Sequence, residues 1–142
     1  LLPANDRNEG LKFNHDRYSK SKINVLRGLH YDDKTWKLIS CPHGKLYLVV
    51  LDLREKQPNY GKWESFILSP ETSTQVLVPP MFANGHYVFE DDSIFSYKMA
   101  YSGQFNDVDK QKTVKWNSTE LNIDWPCTNP IISKRDLNGT NI

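Results

Sequence analysis

Short runs of β-forming residues, separated by clusters of turn residues, recur along this chain of 142 residues. The run at 45–54 (Lys-Leu-Tyr-Leu-Val-Val-Leu-Asp-Leu-Arg) is almost continuously apolar, and turn residues flank it at 42–44 and 58–61. A bounded apolar run of this length predicts a buried strand. Further strands are predicted at 63–68, 75–78, 86–89, 94–101 and 113–116. Many short strands at this spacing favour an all-β fold, an antiparallel jelly-roll barrel.

The rest of the pattern contains little else that is regular. We find no amphipathic helix longer than two turns, no internal repeat and no low-complexity segment. The polar stretch 102–112 predicts one long loop, and the tail after Asp136 is expected to be frayed. The length suits one domain, so residues 1–142 are interpreted as a single domain that carries the whole site.

Composition narrows the choice of partner. The chain has 18 basic and 17 acidic residues and a net charge of +1, which argues against nucleic acid or a membrane surface and favours a small molecule. No run approaches the length of a membrane span, and the N-terminus is too polar for a signal peptide. Cys41 and Cys127 lie far apart and are interpreted as buried thiols, so we expect a cytoplasmic protein.

Candidate chemistry concentrates at 24–38, where Arg27, His30 and Lys37 offer an anion clamp, a base and a charge stabiliser. Strand parity predicts that Arg27 and Lys37 face the same way on the two arms of a hairpin, with His30 at the bend. A solvated basic edge with a surface histidine is the alternative. In the strand at 94–101, Tyr97 is expected to point into the barrel lumen, or to be a core tyrosine whose hydroxyl bonds a backbone carbonyl.

Six blocks in the same order carry a resemblance that covers about residues 13–137. They begin with Ser-Lys-Ser-Lys-Ile-Asn-Val-Leu-Arg-Gly-Leu-His-Tyr at 19–31 and end with Pro-Ile-Ile-Ser-Lys-Arg-Asp at 130–136. Between them lie blocks at 50–63, 77–83, 95–98 and 123–126. This sequence resembles the dTDP-4-dehydrorhamnose 3,5-epimerase family of cupin-fold sugar epimerases. One block would be weak, but six in order are specific.

The resemblance implies an isomerase that epimerises a nucleotide-diphosphate 4-keto sugar through an enolate. His30 would be the base and Asp136 its carboxylate partner, while Lys37 would stabilise the enolate and Tyr97 would be the acid. Arg27 would bind the diphosphate or the sugar. The resemblance also implies a homodimer, no cofactor and no metal. The family's N-terminal strand region, with its Arg-Gly-Phe-Phe motif, has no match here, which suggests a truncated sequence.

The sequence departs from the family around the substrate. The block that usually reads Phe-Ala-His-Gly-Phe is Phe-Ala-Asn-Gly-His at 82–86, so Asn84 stands where relatives have a histidine. His86 lies two residues on, on the same face of a strand, and is expected to take over the function of that histidine. Upstream, His15 and Arg17 stand where relatives carry Gln-x-Asn, and the connection from His30 to Lys37 is shorter than usual. These features look more like the GDP-linked 4-keto-heptose 3- or 3,5-epimerases of bacterial capsule pathways.

Two other classes remain open. A metal-dependent cupin isomerase would need a histidine cluster with a glutamate, but the four histidines, at 15, 30, 43 and 86, include no His-x-His pair closely followed by one. A non-catalytic sugar-binding cupin would be expected to have lost the base or the acid. The presence of both His30 and Tyr97 favours catalysis.

Overall fold

The computed structural model describes residues 11–101 and 110–142, which form nine strands and one short helix. The elements are β1 (His15–Ser21), β2 (Leu26–Tyr31), β3 (Thr35–His43), β4 (Leu46–Asp52), β5 (Trp63–Leu68), β6 (Val76–Val78), β7 (Phe82–Val88), β8 (Ser93–Tyr101), β9 (Lys112–Thr113) and α1 (Lys134–Leu137).

The strands form two antiparallel sheets that pack face to face. One has four strands in the order β1-β8-β3-β6, and the other has five in the order β5-β4-β7-β2-β9. Every strand pairing is antiparallel, and few neighbours in a sheet are consecutive in the sequence, as in a jelly roll. The predicted all-β antiparallel fold is confirmed.

Apolar side chains cover both faces of the five-stranded sheet. One buried cluster fills the space between the sheets and includes Ile39, Leu48, Val88 and Phe95. The second cluster joins the other face of β2, β4 and β7 to the segment that follows β9, including Val114, Leu121 and Trp125. Strand β4 is therefore buried on both faces, which explains why its sequence is a nearly continuous apolar run.

The arrangement of β2 and β3 differs from the predicted hairpin. Strand β2 pairs with β7 and β9, whereas β3 pairs with β6 and β8. Arg27 and Lys37 thus lie on opposite sheets, and the turn after β2 crosses from one sheet to the other. His30 lies within β2 and not at the bend. Parity in the sequence could not reveal that these neighbouring strands belong to different layers.

Strand β2 is irregular where it meets β7. Its register shifts between Arg27 and His30. Gly28, inside this bulge, has a φ of +118°, and a Cβ there would lie 2.5 Å from the Gly85 Cα. A Cβ on Gly85 would in turn lie 2.9 Å from the Arg27 carbonyl oxygen. The two glycines allow the backbones of β2 and β7 to touch, and no larger residue fits in either place.

Other element boundaries also differ from expectation. The run predicted at 86–89 is the end of the longer β7, and the run at 113–116 yields only the short β9 and a bridge between Val114 and Thr140. That bridge shows that the prediction of a frayed tail was wrong, because the Thr140 backbone N–H donates to Thr113. Strand β1 was missed, since it is a polar and largely exposed edge strand.

Most of the predicted loop at 102–112 lies outside the described residues, but its last residue, Lys112, begins β9. Among residues 11–101 and 110–142, no helix has the length and apolar character needed to span a membrane.

Candidate active site

A cavity of about 250 Å³ lies between the two sheets. The five-stranded sheet lines it with Arg27, His30, Asn84 and His86. The four-stranded sheet contributes Ser19, Phe95 and Tyr97. The chain that follows β8 contributes Gln111, Ser133, Arg135 and Asp136. Six of the nine site residues predicted from sequence therefore line one cavity.

His30 and Asp136 form a close pair at this cavity. The His30 Nε2 atom lies 2.6 Å from Asp136 Oδ1, and the backbone N–H of Gly28 donates to Oδ2 at 3.1 Å. The Asp136 side chain is 3% exposed, whereas that of His30 is 20% exposed. Burial alone would raise the pKa of Asp136, but hydrogen bonds from His30, Gly28 and Ser133 lower it overall. The carboxylate is thus ionised and accepts the Nε2–H of His30, so that in the neutral ring Nδ1 carries the lone pair.

Asp136 reaches His30 through the local structure of the C-terminal segment. Ile131 bridges to Val25 beside the start of β2, which places the following residues against that strand. Ser133 caps α1, and its Oγ accepts a hydrogen bond from the Asp136 N–H at 3.2 Å. A serine followed three residues later by an acidic residue is a recognisable helix start. The cap fixes the first turn, from which the Asp136 carboxylate points at β2.

Lys37 is buried beside the cavity and is 5% exposed. Its Nζ donates a hydrogen bond to Asn84 Oδ1 at 2.9 Å. Burial lowers the pKa of Lys37 to about 8, against the opposing attraction of Asp32. Lys37 does not itself line the cavity, and it touches the site through Asn84.

Tyr97 lines the cavity from the wall opposite His30. It lies on β8, next to Ile39 on β3 and Arg17 on β1. Its ring packs against Phe95 with 5.1 Å between centroids. Within the described part of the chain, the Tyr97 hydroxyl has no hydrogen-bond partner. The alternative of a core tyrosine tied to a backbone carbonyl does not describe this geometry.

His86 is a fully packed residue of the cavity wall. Its ring stacks on Phe95, with 4.2 Å between centroids and 9° between planes. Burial, with contributions from Arg27 and His30, lowers the pKa of His86 to about 3, so the ring is neutral. Its buried Nε2 has no hydrogen-bond partner in the described residues. As expected from parity, Asn84 and His86 share the cavity face of β7.

The remaining predicted binding residues differ in position. Arg27 lines the cavity, and its Nε donates to Ser21 Oγ at 3.2 Å. His15 and Arg17 lie further along β1, on the same strand face as Ser19, but they are not among the residues that line this cavity. The His15 Nδ1 lies 3.0 Å from the Tyr101 hydroxyl.

Sequence reasoning missed several residues of the cavity wall. Arg135 is adjacent to Asp136 and brings a second guanidinium to the cavity, while its Nη2 also donates to the Gln111 carbonyl at 3.2 Å. Its place in the block at 130–136 was the available signal. Ser19 had the same kind of signal, because it begins the block at 19–31. Gln111 had none, because a lone polar residue in an expected loop looks like any solvated one.

A larger cavity, of about 430 Å³, opens between the edges formed by β5 and β6. Its ionisable residues include Asp52 and Arg54, whose Oδ2 and Nη2 already pair at 2.7 Å. It contains no histidine, so the smaller cavity is the candidate for proton-transfer chemistry. In the described ranges, no group of three or more histidine, cysteine, aspartate or glutamate residues is placed to hold a metal ion.

The site can remove a proton at one wall and supply one at the other. His30, with its carboxylate partner, faces Tyr97 across the cavity, and Lys37 brings a buried positive charge next to it. Such an arrangement suits an isomerase that inverts a carbon centre by moving a proton from one face to the other. The model of the dTDP-4-dehydrorhamnose 3,5-epimerase family matches residues 4–142. The chain belongs to this family.

Individual relatives agree with this assignment. A dTDP-4-dehydrorhamnose 3,5-epimerase of Shigella flexneri is 36% identical over 132 residues, which cover 91% of this chain and 71% of the relative. The crystal structure of the Elizabethkingia anophelis NUHP1 enzyme of that name is similar with a TM-score of 0.84 and 36% identity, covering 92% of this chain and 72% of that one.

A third relative carries a ligand. The 3,5-epimerase from Legionella pneumophila, solved in complex with dTDP-4-keto-L-rhamnose, has a TM-score of 0.86 and 29% identity to this chain. The similarity covers 99% of this chain and 77% of that one. These relatives are dTDP-sugar enzymes, and they support the expected cupin-like jelly roll and the assignment as an epimerase.

Proposed function

We propose that this protein inverts the configuration at C3, or at C3 and C5, of a nucleotide-diphosphate 4-keto sugar without a cofactor. The observation that carries the proposal is the 2.6 Å contact between His30 and Asp136, facing Tyr97 across one cavity. Epimerisation next to a ketone needs a base on one face of the sugar ring and an acid on the other. The two walls of this cavity supply both.

In the first step, His30 Nδ1 takes the proton from the carbon next to the ketone. The electrons of the broken C–H bond form a carbon–carbon double bond, and the ketone oxygen becomes an enolate oxygen. The protonated imidazole is stabilised by the Asp136 carboxylate at its Nε2–H. Lys37 stabilises the charge that develops on the enolate oxygen.

In the second step, Tyr97 donates its phenolic proton to the same carbon from the opposite face, so the centre is inverted and the ketone re-forms. The phenolate and the imidazolium then exchange protons with solvent, which returns the enzyme to its starting state. Arg27 and Arg135 line the same cavity, and their guanidinium groups are suited to the oxygens of a diphosphate. Binding the diphosphate there places the sugar between the two walls.

For the substrate itself, we propose a GDP-linked 4-keto heptose of a capsule or lipopolysaccharide pathway. The support is the altered wall at Asn84 and His86, together with His15 and Arg17 on the neighbouring β1. A heptose carries an additional hydroxylated carbon, and polar changes around the sugar are one way to accommodate it. A dTDP-linked 4-keto-6-deoxyhexose, as the names of the relatives suggest, is the competing substrate.

We also propose that the protein is a homodimer in the cytoplasm. Each sheet has edge strands, β1 and β6 in one and β5 and β9 in the other, and a second copy is the simplest way to cover such an edge. Cys41 and Cys127 are free thiols, which suits a reducing compartment. Light scattering of the purified protein measures its oligomeric state, and a monomer at micromolar concentration would contradict the homodimer.

The function is tested by incubating the protein in heavy water with dTDP- and GDP-linked 4-keto hexoses and heptoses. We expect deuterium at C3, or at C3 and C5, and formation of the epimer, with the GDP-heptose reacting fastest. NMR of the sugar ring shows which carbons exchange. No uptake from any of these substrates would contradict the epimerase, whereas faster reaction of the dTDP-hexose would leave the epimerase and contradict the heptose assignment.

A further inference from the structure

The hydrogen bond from Lys37 to Asn84 connects the two sheets at the edge of the cavity. Lys37 lies on β3 of the four-stranded sheet, and Asn84 lies on β7 of the five-stranded sheet. The Nζ to Oδ1 distance is 2.9 Å, and the two residues are 5% and 7% exposed. A buried ammonium has three N–H groups to satisfy. Within the described residues, Asn84 is its one hydrogen-bond acceptor, which leaves two N–H groups for another ligand.

We propose that Asn84 is a positioning residue that holds the Lys37 ammonium at the cavity wall so that its remaining N–H groups meet the ketone oxygen of the substrate. The inference rests on the proposed function, and it gives Asn84 a different role from the substrate contact expected from sequence. Asn84 lines the cavity and Lys37 lies directly behind it, so the amide sets the position of the ammonium relative to the cavity wall.

The chemistry of the acceptor matters as much as its position. An amide oxygen accepts a hydrogen bond and leaves the full positive charge of the ammonium available to an enolate oxygen. A carboxylate in the same place would neutralise that charge before the substrate arrived. An apolar side chain would leave the buried ammonium without an acceptor.

Other ionisable groups around Lys37 are also part of its environment. Asp32, in the turn before β3, raises the pKa of Lys37, and Arg135 on α1 lowers it, after the larger effect of burial. The further titratable groups around the cavity are Arg27 and His30 on β2, His86 on β7, Tyr97 on β8 and Asp136 on α1. Asp32 and Arg135 act on Lys37 through their charge, whereas Asn84 is in direct contact with its Nζ, so changes at Asn84 are expected to dominate.

The test compares wild type with the isosteric variants Asn84→Asp and Asn84→Leu. The enolate stabiliser must be protonated, so the exchange rate of the wild type falls as the pH rises through about 8, the pKa of Lys37. Asn84→Asp should move this midpoint upward by roughly one to three pH units, because a close opposite charge favours the ammonium. The same variant should catalyse deuterium exchange of the substrate at least about tenfold more slowly at pH 7, since the aspartate already compensates the charge that would stabilise the enolate oxygen. Asn84→Leu should move the midpoint downward.

A matched control lies far from the cavity. Asn59 Oδ1 accepts a hydrogen bond from Lys62 Nζ at 3.2 Å in an exposed turn. The variants Asn59→Asp and Asn59→Leu therefore make the same chemical changes to a lysine–asparagine pair outside the site. Neither should alter the rate or the midpoint. Thermal unfolding of each variant identifies any that has lost its fold. If one of the two Asn84 variants has done so, the other is still compared with wild type.

A second readout needs no substrate. NMR titration of the Lys37 side chain, assigned by its loss in Lys37→Arg, measures its pKa directly. We expect the order Asn84→Leu below wild type below Asn84→Asp. An unchanged Lys37 pKa in both Asn84 variants would overturn the inference, even if the wild type is an active epimerase. An inactive wild type with shifted Lys37 pKa values would instead support the contact and contradict the proposed function.

Discussion

The side chains of His30 and Asp136 meet at 2.6 Å although 106 positions separate them in the sequence. The contact depends on the last residues of the chain returning to β2, where Ile131 bridges to Val25 and Ser133 caps the turn that carries Asp136. The site is therefore completed only when this segment has packed. Any change that releases residues 131–136 should remove activity while leaving the two sheets intact.

Replacing His30 by asparagine should abolish deuterium exchange at every carbon next to the ketone. The substitution removes the base, and a positioned base contributes about 10²- to 10⁴-fold to such a rate. Exchange into the substrate, followed by NMR or mass spectrometry, measures the loss. Asn59→Gln, in an exposed turn, is a suitable control and should exchange at the wild-type rate. Unchanged uptake in His30→Asn would exclude this residue as the base.

Tyr97→Phe should behave differently, because proton removal requires His30 and Lys37 but inversion also requires an acid on the opposite wall. The enolate then has only the His30 side from which to regain a proton, so we expect exchange with retention and little epimer. Chiral analysis of the product, alongside deuterium uptake, separates the two steps. Equal loss of exchange and inversion would show that Tyr97 orients the substrate instead.

Asp136→Asn should reduce both the rate and the stability, and the stability effect should depend on pH. The folded-state pKa of Asp136 lies below its ordinary value of 3.8. The ionised carboxylate therefore stabilises the fold above that value, and this contribution is lost as the pH falls through the lower folded-state pKa. Urea unfolding of wild type and variant should show a difference at pH 5 that shrinks towards pH 2. A difference that stays constant over this range would contradict the assignment.

His86→Phe should stabilise the protein while it alters the substrate site. Phenylalanine preserves the stacking on Phe95 and removes a buried ring nitrogen that has no partner in the described residues, a group that typically costs about 1–3 kcal/mol. Because the folded-state pKa of His86 is about 3, the wild type loses stability as the pH falls from 6.5 towards 3, where the unfolded chain takes up a proton.

The His86→Phe variant should lack this part of the pH dependence, which denaturant unfolding at pH 7.5 and pH 5 would reveal. A stability gap between variant and wild type that does not widen at pH 5 would contradict the neutral, buried state of His86. We also expect the variant to bind substrate more weakly, because the stability is gained by removing a functional polar group.

Sequence reasoning recovered the parts of the fold that have strong local signals. The buried β4, the strand that carries Tyr97 and the antiparallel all-β class all follow from apolar runs and turn residues. Edge strand β1 was missed, because a polar strand whose stability comes from pairing with β8 has no apolar period of its own. The placement of β2 and β3 on different sheets was also missed, since local patterns do not encode layer assignment.

The candidate site was predicted unevenly for a similar reason. His30, Asp136 and Tyr97 were found because they stand in family-like blocks, and the cavity brings them together. The contact between Lys37 and Asn84 joins two residues 47 positions apart across the sandwich, and no spacing rule could have indicated it. Arg135 was passed over beside its neighbour Asp136, although both line the cavity.

The bulge between Arg27 and His30 determines which residues of β2 face the cavity. The two residues are three positions apart, so in a regular strand they would point to opposite faces, yet both line the cavity. Transplanting this site into another sheet would therefore require moving the irregular backbone, with its glycine partner on β7, as well as the side chains. A variant in which β2 kept its length but ran as a regular strand here would turn His30 away from the cavity and Asp136, and it would lose the base without changing a single catalytic residue.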